Sequence, residues 1–283
     1  MPQGMTSQTR MDIASRRITS VGILLVAMAV LTVSGARGAT APPVDVSFLD
    51  DARKLQLTGH LYQPDGPGPY PAVVMMHGCG GIGSNQHDWG RRLQAWGYVA
   101  LIVDSFGPRG KTNICDDFSV DPRFARMPDA FVAKSFLMSQ AFVDGRRIAL
   151  MGWSHGGWTT LFAVDDIYLA GIRSTPFTAV IAFYPSCLKL MQRVNAPLLI
   201  LIGEDDDWTA ASACQNMLRS TEQWERGAAT NITLKVYPGA HHGFDQRQPL
   251  RQMYGHTIGG HPVAAAQAEE EVKRFLARHL GNG

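Results

Sequence analysis

The chain holds 283 residues, with 26 Lys and Arg against 24 Asp and Glu and a formal net charge of +2. No basic run and no interleaving of basic with aromatic residues accompanies that balance, so nothing in it points to a nucleic-acid partner. Residues 40–283 are long enough for one α/β domain with a large core, and no internal repeat, linker or second domain interrupts them.

Residues 1–39 differ in kind. Arg16 and Arg17 precede an uncharged run from Ile18 to Ala36 whose apolar heart is Val21 to Val33, and the small residues Ser34, Gly35, Ala36, Gly38 and Ala39 follow. This is the layout of a secretory signal peptide, with cleavage expected near Ala36 to Ala39. The apolar heart is short for a bilayer span, so no stable membrane anchor is expected after cleavage. The mature chain is then expected in the periplasm or outside the cell.

Val44 to Phe48 and Leu55 to Tyr62 read as an opening hairpin. A Gly/Pro loop over Pro64 to Pro71 leads into Ala72 to Met76, a continuous apolar run of the kind found in central parallel strands. Similar runs recur at Tyr98 to Val103, Ile148 to Met151, Val180 to Tyr184 and Leu198 to Ile202, and Ile232 to Tyr237 reads as the last strand. Helical patterns lie between them at Asp88 to Trp96, Ala130 to Ala141, Gly156 to Val164 and Ala210 to Ser220, and an amphipathic helix over Val263 to His279 closes the chain. This alternation predicts an α/β fold with right-handed crossovers and helices on both faces of a mostly parallel sheet of about eight strands.

Where the strand ending at Met151 gives way to a helix stands Gly152-Trp153-Ser154-His155-Gly156. In that context the pattern reads as a nucleophile elbow, with Ser154 as candidate nucleophile and the His155 amide facing the place of an acyl oxyanion. The two glycines are needed because a side chain at either position would collide with neighbouring backbone. Elbow enzymes place their acid and then their histidine downstream. Ala196 to Ile202 runs into Gly203-Glu204-Asp205-Asp206-Asp207-Trp208-Thr209, and spacing alone leaves Asp205, Asp206 and Asp207 as candidates to orient an imidazole. The competing use of these acids is to cap the helix that follows.

The last strand empties into Pro238-Gly239-Ala240-His241-His242-Gly243-Phe244, where a histidine can reach over the sheet end and exchange a proton near neutral pH. His60, His77, His87, His155, His256 and His261 lack such placement and are expected to be structural or at the surface. Adjacent histidines seldom chelate one ion and no metal-ligand spacing surrounds this pair, so neither a metal nor an organic cofactor is expected.

His77-Gly78-Cys79-Gly80-Gly81 follows the third strand, where elbow enzymes carry their second oxyanion donor, here assigned to the amide of Cys79. All four cysteines lie beyond residue 39, and disulfides are the expected state of an exported chain. Cys79 is expected to pair with Cys115 and Cys187 with Cys214, each bond joining loops after neighbouring strands.

Several segments carry a resemblance: His77-Gly-Cys-Gly-Gly81, Asp104-Ser-Phe-Gly-Pro-Arg-Gly110, Arg147-Ile-Ala-Leu-Met-Gly-Trp-Ser-His-Gly-Gly157, Gly203-Glu-Asp-Asp-Asp-Trp-Thr209 and Tyr237-Pro-Gly-Ala-His-His-Gly-Phe244. Over most of residues 40–283 the chain resembles the dienelactone hydrolase family of α/β hydrolases, and more closely its secreted, serine-bearing relatives. The resemblance implies the α/β-hydrolase fold. Its Gly-x-x-Asp pattern selects Asp206 as the acid, and its Ala-x-His-x-Phe pattern selects His242 over His241.

The name-giving enzymes carry cysteine where this chain has Ser154, and a glutamate where it has Gly78, so dienelactone is not carried over as substrate. The family holds a substrate carboxylate with arginines, and Arg109 lies near one of those places. At the second, Gln246 stands with Arg247 one residue beyond.

The resemblance and the motifs together imply a hydrolase of small-molecule esters or lactones. An amidase or peptidase of the same fold is the nearest rival. A binding protein that kept the fold would not need all of Ser154, Asp206 and His242. The loop from Cys115 to Pro128 and the segment from Asp245 to His261 are expected to wall the pocket, with Asp116, Asp117, Phe118, Arg123, Phe124, Arg251 and Tyr254 giving it mixed character.

Overall fold

The apolar runs become one eight-stranded sheet, because chain segments that are apolar on both faces must be covered on both. A computed structural model describes residues 41–117, 119–169, 172, 174–188, 191, 193–224 and 231–283. The expected signal peptide lies outside the described residues. The strands are β1 (Val44–Asp50), β2 (Leu55–Tyr62), β3 (Tyr70–Met76), β4 (Val99–Asp104), β5 (Val143–Trp153), β6 (Val180–Phe183), β7 (Leu198–Gly203) and β8 (Ile232–Tyr237). They stand in the order β1-β2-β4-β3-β5-β6-β7-β8. β2 is antiparallel to both of its neighbours, and every pair from β4 to β8 is parallel. β6 and β7 are buried along their whole length, whereas β1 alternates buried and exposed residues as an edge strand should.

The helices are α1 (Ser84–Ala95), α2 (Met127–Met138), α3 (His155–Ala163), α4 (Asp166–Leu169), α5 (Ala211–Trp224) and α6 (Pro262–Leu280). From β3 the chain steps through α1 to β4 on one side and returns through α2 to β5 on the other. Right-handed crossovers in opposite directions put α1 and α2 on opposite faces. α6 joins α1 through the Arg92–Glu269 pair at 3.0 Å, and its Ala264, Ala268, Val272, Leu276 and Leu280 form one buried stripe on the sheet. The reversal of direction opens a crevice at the carboxyl ends of β3 and β5, the place where open α/β sheets take their ligands. Both the His77–Gly81 loop and the elbow emerge there.

Several boundaries depart from the sequence pattern for local reasons. α1 starts at Ser84, ahead of its apolar pattern, because Gln86 reaches back to accept the amide of Gly83 at 3.0 Å. α2 starts at Met127 after a wide turn over Pro122–Arg126, whose start Asp121 caps by accepting the amides of Arg123 and Phe124 at 2.7 Å. The segment from Asp245 to His261, expected from sequence to wall the pocket and given no strands there, contains a hairpin of β9 (Arg251–Met253) and β10 (His256–Ile258). Its two-residue turn, Tyr254-Gly255, has positive φ at both positions, as a primed hairpin turn requires.

Both expected disulfides are formed, Cys79 with Cys115 and Cys187 with Cys214. The first ties the loop after β3 to the loop after β4; the second ties the segment after β6 to α5. Alkylation of denatured, unreduced protein should label no cysteine, and prior reduction should expose four. Replacing Cys187 and Cys214 by Ser opens a cross-link of separation 27 and should cost about 3 kcal/mol, read from urea unfolding.

Candidate active site

β5 ends in a turn so tight that Ser154 takes φ 52° and ψ −115°, a strained conformation for a residue with a side chain. It is held from both sides: the Ser154 amide donates to the Phe183 carbonyl at 2.9 Å, and the Ser154 carbonyl accepts the amide of Trp158 at 2.8 Å. The glycine spacing has a steric cause. A Cβ on Gly152 would lie 2.3 Å from the carbonyl oxygen of Gly156, and one on Gly156 would lie 2.1 Å from that of Met76.

His242 reaches this serine from the loop after β8. Its Nε2 lies 3.0 Å from Ser154 Oγ, and its Nδ1 lies 2.8 Å from Asp206 Oδ2. Because the carboxylate faces Nδ1, the proton sits on Nδ1, and Nε2 is left to accept from the serine hydroxyl. Asp206 is itself held: Oδ1 accepts the amides of Trp208 at 3.0 Å and Thr209 at 2.7 Å, and Oδ2 accepts the Thr209 hydroxyl at 3.0 Å. These amides lie in the turn before α5 starts at Ala211, so Asp206 braces that turn and does not cap the helix. Asp207 serves elsewhere, its carboxylate accepting the Thr257 amide of β10 at 3.0 and 3.1 Å. His241 turns away, its Nδ1 2.9 Å from the Asp205 carbonyl.

On the far side of Ser154 lies the loop after β3. Gly78 packs against the serine, so that a Cβ there would stand 3.6 Å from that of Ser154. No carbonyl of the described residues takes the amide of Cys79. His155 is the first residue of α3, where an amide has no acceptor within its own helix. Neither amide has an acceptor among the described residues, and that of His155 stands at the positive end of a helix dipole.

The cleft above them is a cavity of about 250 Å³ whose walls include Tyr184, Trp208, Gln246, Gln248, Arg251 and Met253. Among the described residues no carboxylate lines it, and Arg251 is its single lysine or arginine. The segment from Asp245 to His261 walls the cleft as expected, through Gln246, Gln248, Arg251, Met253 and Ile258; Tyr254 instead packs on Trp208 with centroids 6.0 Å apart. The loop from Cys115 to Pro128 contributes Cys115. Phe118 lies outside the described residues, and Arg123 stacks over Phe124 and Tyr168.

The structure does not bring Arg109 to the cleft. Its guanidinium forks onto Asp129 with both contacts at 2.9 Å and donates to the Ser105 carbonyl at 2.7 Å, so its charge is already matched.

One residue absent from the sequence reading organises the cleft floor. The buried carboxylate of Asp245 accepts four neutral donors: Asn85 Nδ2 at 2.9 Å, Trp89 Nε1 and Trp153 Nε1 each at 2.8 Å, and the Tyr184 hydroxyl at 2.7 Å. Burial, and then the Asp245 charge, hold the Tyr184 hydroxyl well above its ordinary pKa, so it remains a donor. Tyr184 in turn packs on His242 with centroids 4.6 Å apart.

The dienelactone hydrolase family model matches residues 57–280. The chain belongs to the dienelactone hydrolase family. A probable 2-oxo-3-(5-oxofuran-2-ylidene)propanoate lactonase of Bradyrhizobium sp is 24% identical over 235 residues, covering 78% of this chain and 89% of that protein. A putative carboxymethylenebutenolidase of Synechocystis sp. is 23% identical over 252 residues, 81% of this chain and 94% of that one. Among solved structures, a putative dienelactone hydrolase from Klebsiella pneumoniae superposes with a TM-score of 0.64 at 20% identity, covering 84% of this chain and all of that one. The fold is therefore that of the α/β hydrolases, and the chain is a hydrolase of the dienelactone hydrolase family.

Removing the Asp245 carboxylate strands four buried donors. Asp245→Ala should lower stability by on the order of 3 to 5 kcal/mol, with Asp245→Asn milder because one acceptor remains. Urea unfolding followed by tryptophan fluorescence measures both.

Proposed function

We propose that the chain is a serine hydrolase that cleaves small carboxylic esters or lactones through an acyl-enzyme. The observation that carries this reading is the unbroken hydrogen-bond chain from Ser154 Oγ through His242 to Asp206, and the unpaired amides of Cys79 and His155 are its candidate oxyanion donors. In the first step His242 Nε2 takes the Ser154 proton while Oγ bonds to the substrate carbonyl carbon, and the carbonyl oxygen becomes an oxyanion held by those amides. Collapse breaks the bond to the leaving oxygen, which receives the proton from His242; in a lactone that oxygen stays tethered to the acyl group. Water then attacks the acyl-enzyme, His242 takes its proton and returns it to Ser154, and the acid leaves. Asp206 keeps the imidazole in one tautomer and stabilises its cationic form.

Two further observations support the reading. The cleft is of a size for a small molecule, and relatives bear names that are lactonases or butenolidases. Export belongs to the same proposal. It rests on the leader-like pattern of residues 1–39 together with the two disulfides.

Short-chain p-nitrophenyl esters and simple lactones test the activity. Ser154→Ala should lower kcat by roughly a millionfold and Asp206→Asn by roughly ten-thousandfold, with a chelator making no difference. A fluorophosphonate should label Ser154; neither turnover nor label in the wild-type protein would defeat the proposal. For export, the protein recovered from the periplasm or medium should begin between residues 36 and 41, and an intact leader on cell-associated material would count against it.

A further inference from the structure

Beneath the two unpaired amides lies a cation that the proposed mechanism does not use. Arg126, at the end of the wide turn before α2, is wholly buried. Its Nη2 donates to the His77 carbonyl at 2.7 Å and its Nη1 to His155 Nδ1 at 2.9 Å, while Phe106 lies under the guanidinium with its centroid 5.0 Å away. No carboxylate is hydrogen-bonded to it, and its Nε has no partner among the described residues. Asp129, which attracts it most, is already bound by Arg109 and Arg53, and Asp104, which attracts it less, accepts the amides of Phe106 and Gly107. The two histidines stay neutral beside it. Burial, with Arg126 itself second, holds the His155 imidazole down at about 3, and His77 lies well below its usual range for the same reasons. An arginine kept only for stability would be expected to face an acid, because an unmatched buried charge is costly.

Each residue that Arg126 grips leads to one of the two amides. His77 Nε2 accepts the Ser105 amide at 3.3 Å, so its proton sits on Nδ1, which faces the Gly78 carbonyl at 2.7 Å. That carbonyl belongs to the peptide whose N–H is the Cys79 amide, and drawing electron density toward it from behind makes the N–H a stronger donor. On the other side, Arg126 fixes the side chain of His155, the residue that supplies the second amide.

We propose that Arg126 is a positioning residue of the oxyanion hole, holding His77 and His155 so that the Cys79 and His155 amides converge, and lending them positive charge. The inference rests on the serine hydrolase reading. A neutral ester gains little from this charge, whereas the tetrahedral oxyanion gains much, so the effect falls on the chemical step.

The test compares wild type with Arg126→Gln, which keeps one donor without charge, and Arg126→Lys, which keeps the charge without the fork. The expected result is a kcat lower by about 100-fold in Arg126→Gln, at the low end of the loss from deleting a direct oxyanion donor, and by about 10-fold in Arg126→Lys, with KM nearly unchanged. An alkyl trifluoromethyl ketone, which adds Ser154 to give a tetrahedral oxyanion, should lose affinity in parallel with kcat/KM. A role confined to packing would move the melting temperature without that parallel loss. Should Arg126→Gln fail to fold, Arg126→Lys alone decides. Wild-type kcat in a folded variant, or a kcat that falls only in step with the folded fraction, overturns the proposal. If wild type turns over esters and the Arg126 variants match it, this inference alone fails; if wild type neither turns over nor labels at Ser154, the hydrolase reading fails and takes this one with it.

Discussion

Everything at the carboxyl end of the sheet depends on how closely two pairs of backbones meet. α3 begins directly against the last residues of β3, where a Cβ on Gly156 would lie 2.1 Å from the Met76 carbonyl oxygen. The end of β7 presses equally hard on the loop after β8, where a Cβ on Gly203 would lie 2.1 Å from the Ala240 carbonyl oxygen. The first approach brings Ser154 beside the His77–Gly81 loop. The second brings Asp206 beside His242. Neither can relax without carrying a side chain of the proposed triad away from its partner, because protein interiors shift as packed units.

Around these contacts the chain places polar groups that would be costly without their partners. Asp245, three residues after His242, gathers donors from α1, from β5 one residue before Ser154, and from Tyr184 just past β6. A single carboxylate thus binds the histidine loop to the elbow strand. Arg126 does the corresponding work on the opposite flank, beneath the loop after β3 and the start of α3. The site is held between a buried anion on one side and a buried cation on the other, each bound by neutral groups. Removing either leaves the remaining members buried and unsatisfied.

The parts of the fold legible in the sequence were those whose physical cause is local. Continuous apolar runs such as Leu198 to Ile202 announced buried parallel strands, and glycines at fixed offsets announced the elbow. The choice of Asp206 over its neighbours needed the family pattern, because three consecutive acids share the same chemistry until the Trp208 and Thr209 amides select one. Arg126 and Asp245 lie in the two segments expected to wall the pocket but were not singled out, because nothing local marks an arginine in a polar loop or an aspartate after a histidine for burial. Their burial depends on partners 29 and 160 positions away. Arg109 illustrates the converse, a residue placed by resemblance whose charge is spent on Asp129. The hairpin at Arg251 to Ile258 was legible only in its Tyr254-Gly255 turn, since strands of three residues carry too little alternation to register.

The attachment of that hairpin bears on how such an enzyme can change. Its second strand hangs from the site itself: the Gly259 amide donates to the His242 carbonyl at 2.9 Å, and the Thr257 amide donates to Asp207, next to Asp206. Its first strand and the approach to it, with Gln248, Arg251 and Met253, face the cleft. Variation in substrate preference is therefore free to accumulate in Gln248 to Met253, while Thr257 to Gly259 drifts only together with the histidine loop. A lineage acquiring a new substrate would be expected to rewrite the first half of this insertion and leave the second half nearly untouched.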